Sequence, residues 1–165
     1  MRFLHLHLFL ALIVFAQVTH AIGISPETAQ KEMESLVGEW EGTLEYGGAS
    51  SSAKWNAEWA PGKQCLIIHE EYDNIEGGTN KVTALVGYDR LNRQIVNLGF
   101  RTDGGNRTMT FTDSVFKAKM TGDDLEGKAS SCDVVVKRNE GEMTFVFKGV
   151  SPDGEDMLIQ VQRKK

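Results

Sequence analysis

Residues 25–46 read SPETAQKEMESLVGEWEGTLEY, and the hydrophobic period changes within them. Ser25 is a good N-cap, Pro26 suits a first helical position and Glu27 complements the positive end of a helix. This start predicts a helix to about Leu36, stopped at Gly38, with Met33, Leu36 and Val37 as its apolar contact. Past Gly38 the period becomes two. Trp40, Gly42, Leu44 and Tyr46 alternate with Glu39, Glu41, Thr43 and Glu45, the pattern of a strand with one buried face.

The period of two then continues to the end of the chain. Strand-like runs fall at residues 52–60, 64–72, 81–88, 94–101, 107–112, 115–120, 125–130, 132–138, 143–147 and 157–162. Turn residues separate them: Gly47-Gly48, Pro61-Gly62, Gly77-Gly78, Asp103-Gly104-Gly105-Asn106, Asn139-Glu140-Gly141 and Ser151-Pro152-Asp153-Gly154. No helical run interrupts the series. The expected fold is all-β: an antiparallel meander barrel of about 8–10 strands with one short N-terminal helix, the closure removing exposed sheet edges.

Upstream of the helix, Met1-Arg2 gives an early positive charge, residues 3–18 are nearly all apolar, and Thr19-His20-Ala21 provides a small-residue exit. That order predicts a signal peptide over residues 1–21, cleaved after Ala21, and a secreted or periplasmic barrel domain over residues 22–165. The apolar run is short for a bilayer, which takes about 20 apolar residues, so no membrane span is expected in the mature form. The formal net charge of −5, with basic residues scattered except at Arg163-Lys164-Lys165, argues against nucleic acid as a partner.

Few residues offer chemistry. His69 is the one histidine beyond residue 21, in the polar stretch His69-Glu70-Glu71-Tyr72-Asp73. Alternation puts His69 with Glu71 on one face and Glu70 with Tyr72 on the other. A hydrolase-type use of His69 with Glu71, Tyr88 or Asp89 is one alternative. No serine stands in a G-x-S-x-G context, and a second histidine for a triad is missing, so no catalytic residue is assigned. Cys65 and Cys132 sit in apolar runs far apart in sequence. They read equally well as buried thiols or as a disulfide permitted by export. With one histidine they do not make a four-ligand zinc site, and no metal is expected.

The large apolar residues are candidates for the barrel interior. Trp55 and Trp59 share a face, and Phe100, Met109, Phe111, Phe145 and Phe147 add to it. Such an interior is either filled or holds a small ligand. For a pocket, the expected site is Trp55, Trp59, His69, Tyr88 and Phe100, with His69 and Tyr88 orienting a small apolar or amphipathic molecule. For a filled barrel, the expectation is an accessory protein acting through its surface.

Gly38-Glu39-Trp40-Glu41-Gly42, directly after the helix, resembles the opening of lipocalin and other calycin barrels. With the later Gly87-Tyr88-Asp89 it also resembles a group of bacterial exported domains of lipocalin-like fold. That resemblance implies a ligand-binding barrel in which Trp40 closes one end and Arg163 stacks across its ring. The strand count, nearer ten than eight, departs from true lipocalins. The same opening is similar to that of ten-stranded haem-binding barrels, which ligate haem through a histidine near the chain end. Residues 157–163 hold no histidine, so no cofactor is expected.

Overall fold

The computed structural model describes residues 23–73, 78–123, 129–150 and 154–164. The expected signal peptide lies outside them, as do parts of the expected connectors Gly77-Gly78 and Ser151-Pro152-Asp153-Gly154 and most of the expected 125–130 strand.

The described residues form α1 (Pro26–Leu36) and ten strands. These are β1 (Gly38–Tyr46), β2 (Ala49–Trp59), β3 (Cys65–Asp73), β4 (Thr79–Asp89) and β5 (Gln94–Arg101), then β6 (Asn106–Phe111), β7 (Lys117–Asp123), β8 (Ala129–Asn139), β9 (Glu142–Phe147) and β10 (Met157–Arg163). Each strand pairs antiparallel with the next, and β10 pairs with β1 to close the barrel. The expected strands over 125–130 and 132–138 correspond in the described residues to β8 alone.

Both glycines of the Gly38–Gly42 opening have structural reasons. Gly38 lies at φ 126°, a conformation open to glycine, where the chain turns from α1 into β1. A Cβ on Gly42 would fall 1.9 Å from the Gln160 carbonyl oxygen, so glycine allows β1 to curve tightly onto β10. Gly122 performs the same service where β7 folds onto β6, with the Asn106 carbonyl 2.4 Å from a hypothetical Cβ.

Helix α1 plugs the barrel end at which β1 begins. Ser25 caps it by accepting from the Thr28 amide, and Ala29 and Met33 are buried against the barrel. Its last turn leaves carbonyls without helical partners. Trp40 Nε1 donates to the Leu36 carbonyl at 2.9 Å, and Arg163 Nη2 donates to the Ser35 carbonyl at 2.7 Å. The Arg163 guanidinium also lies over the Trp40 ring, 4.9 Å from its centroid. Glu32 pairs with Arg138 of β8, and Trp59 Nε1 donates to Glu34 at 3.0 Å. Among the described residues no helix is long and apolar enough to cross a membrane.

Candidate binding site

The inward faces of the strands meet in two spaces. Beneath α1 is one of about 80 Å³, walled mainly by apolar groups such as Met33, Trp55, Ile68, Val86, Met109 and Phe145. For scale, an engineered apolar cavity of about 150 Å³ holds benzene. The inner space therefore accepts the end of a molecule and not a whole drug-sized one. At the opposite end of the barrel a wider space of about 450 Å³ is bordered by Tyr46, Asn80, Arg101, Asn106, Asp123 and Ser131. Tyr72, Arg107, Phe147 and Ile159 border both spaces and form the layer between them.

A buried ion pair sits in that layer. Arg107 Nη2 meets Glu70 Oε1 at 2.5 Å, and the Tyr72 hydroxyl donates to Glu70 Oε2 at 2.5 Å. Glu70 is 4% exposed. The pair bridges β6 and β3 across β4 and β5, and small residues there make room for it. Gly99 lies under the Arg107 side chain, where a Cβ would come within 3.2 Å of Nε, and Ala84 opposes Gly99 on β4. Burial raises the Tyr72 pKa well above the usual phenol value, and the neighbouring Glu70 carboxylate adds to the rise. Burial opposes the Arg107 charge, but Glu70 and Tyr72 outweigh it and raise its pKa overall.

Several polar atoms around the inner space find no hydrogen-bond partner among the described residues. They are Trp55 Nε1, Asn97 Oδ1, Arg107 Nε and Arg138 Nε. Buried donors and acceptors are nearly always paired, so four on residues lining one space need a reason.

The five residues expected around a pocket are not brought together. Trp55 lines the inner space, against Trp40 and Phe145 with ring centroids 5.7 Å apart in each case. Trp59 and Tyr88 face inward but serve the plugged end: Trp59 bonds Glu34, and the Tyr88 hydroxyl donates to the Ile24 carbonyl at 2.7 Å. His69 and Phe100 stand on the outer face, which corrects their assignment to the barrel interior. His69 Nδ1 lies 3.4 Å from Thr83 Oγ1, Phe100 is 56% exposed, and Glu71 pairs with Lys81. Cys65 and Cys132 are both free thiols, on strands β3 and β8 that are not neighbours, so the disulfide alternative is set aside. Glu70, Tyr72, Asn97, Arg107 and Arg138 were not among the expected site residues. The one signal for them was that Glu70 and Tyr72 share a strand face.

Fold and site together define a closed ten-stranded antiparallel barrel, plugged at one end by a helix, with an apolar inner space and a buried ion pair. The chain is similar to the crystal structure of Rv2717c from M. tuberculosis, at a TM-score of 0.60 and 14% sequence identity, over 86% of this chain and 99% of that one. A likeness at that identity carries the fold alone. No family model matches the chain, and no curated protein sequence does.

Proposed function

We propose that this protein is an extracytoplasmic, lipocalin-like binding protein that takes a small apolar or amphipathic molecule into the space beneath α1. The observation that carries the reading is the combination around one space of apolar side chains with lining residues whose buried polar atoms lack partners. Ligand sites have this composition: mostly apolar lining, with a few convergent polar groups. Export rests on residues 1–21. N-terminal sequencing of the exported protein should begin at or near Ile22, and a mature chain that keeps Met1 would contradict export.

The binding test uses Trp55 as the reporter. Straight-chain ketones, alcohols and acids are slender probes that can place one end in a space of this size. At least one should give a saturable change in tryptophan fluorescence. Val136→Phe, which pushes a ring into the space, should abolish that change while the barrel still folds. No saturable response from any probe, or an equal response in Val136→Phe, would remove the reading.

A surface-acting role is the second reading, and one observation favours it. Leu85 and Leu98, paired across β4 and β5, are 45% and 36% exposed, and Phe100 extends the same outer stripe. An apolar patch on an outer sheet face is a common mark of a protein contact.

A further inference from the structure

We infer that the inner space selects an uncharged guest bearing a carbonyl-type acceptor, and discriminates against carboxylates and amines with the same tail. This deepens the proposed function and rests on it. The ionised groups around the space balance one another. Four ionised side chains border the space, and they are matched in two pairs: Arg107 with Glu70, and Arg138 with Glu32. Neither guanidinium is left over to neutralise a carboxylate guest, and neither carboxylate to neutralise an ammonium. An ion entering would be desolvated without a counter-charge, which is among the costliest events in a protein interior.

The unpartnered atoms are mostly donors. Each arginine meets its carboxylate through one terminal nitrogen, Arg138 Nη1 donating to Ser35 Oγ as well, and leaves Nε–H unpartnered. Trp55, itself 9% exposed, adds an indole N–H. Among the residues that line the space, the unpartnered buried atoms are therefore three donors and one acceptor, Asn97 Oδ1. The complementary guest brings acceptor lone pairs and no charge: a ketone, ester or lactone carbonyl on an apolar body. Trp55 stands beside Glu70 in the β2–β3 register, and Arg107 lies diagonally from Asn97 across β5 and β6. Trp55 and Arg107 are thus both neighbours of Glu70 in the interior layer.

The test titrates the full chain calorimetrically at neutral pH with 2-octanone, octanoate and octylammonium, three probes with similar apolar tails and different heads. 2-Octanone should bind at least about tenfold more tightly than either ion, a modest share of the cost of an unpaired buried charge. Its carbonyl stretch, read by infrared difference spectroscopy, should fall below its position in an alkane solvent. Trp55→Phe should weaken 2-octanone about two- to tenfold, the range for one hydrogen bond, and leave the weak binding of octanoate unchanged. Octanoate or octylammonium binding as tightly as 2-octanone would overturn the inference while leaving a binding chamber in place. An alkane-like carbonyl stretch would overturn it equally, and needs no variant that folds. If none of the three probes binds, the chamber itself is not a binding site and the inference falls with it.

Discussion

Arg107→Met should lower the free energy of unfolding by about 3–5 kcal/mol, the range for removing one partner of a buried ion pair. The loss comes chiefly from what remains. Glu70, 4% exposed, would keep a carboxylate facing apolar walls with only the Tyr72 hydroxyl donating to it. Glu70→Leu alone strands the guanidinium in the same way. The double variant, Glu70→Leu with Arg107→Met, should recover most of the stability, because replacing both charges by apolar groups leaves nothing buried and unpaired. Denaturant titrations of the four proteins complete a double-mutant cycle. Single losses below about 1 kcal/mol, or a double variant as unstable as the sum of the singles, would show that the pair is not the buried unit described here.

Trp40→Ala should cost a similar amount, about 3–5 kcal/mol, the usual range for truncating a buried tryptophan. The ring is 4% exposed and packs on Trp55, its N–H satisfies the Leu36 carbonyl at the end of α1, and its face carries Arg163. Its loss therefore opens a cavity and also loosens the helix that plugs the barrel. Trp40→Phe keeps much of the apolar area and loses the N–H, so it should cost less than the alanine variant. A loss below about 1 kcal/mol for Trp40→Ala in a denaturant titration would mean that the helix is held elsewhere.

The barrel was legible because hairpin punctuation and a period of two are local signals. Ser25-Pro26 and Gly38 marked the helix to within a residue, and the short connectors left antiparallel neighbours as the natural arrangement. The site was less legible, because it depends on which face of each strand points inward. In β5 the apolar pattern points the wrong way: Ile95, Asn97 and Gly99 face inward, while Val96, Leu98 and Phe100 face out. Hydrophobicity alone therefore places Phe100 inside. In β3 the run Cys65-Leu66-Ile67-Ile68 is apolar on both faces, so nothing local decides between His69 and Glu70 as the inward residue. The structure chooses Glu70 because Arg107, far off in sequence and on another strand, is there to meet it. The inward arginine itself sits between polar neighbours, Asn106 and Thr108, and carries no local sign of burial. Trp55 was found because Ala53, Trp55 and Ala57 alternate with Lys54, Asn56 and Glu58, which leaves only one choice of inner face.

A small molecule held in the barrel interior and one held on the outer apolar stripe would touch different side chains. Methyl-resolved NMR of the full chain, titrated with 2-octanone, tells the two apart directly, because the two faces carry different methyl groups. The methyls of Met33, Ile68, Val86 and Val136 border the inner space, whereas Leu85 and Leu98 stand on the outside. Binding in the interior should give saturable shifts of the inner methyls with one shared affinity and no shift of the outer leucines. Shifts confined to Leu85 and Leu98, or no saturable shift at all, would contradict it.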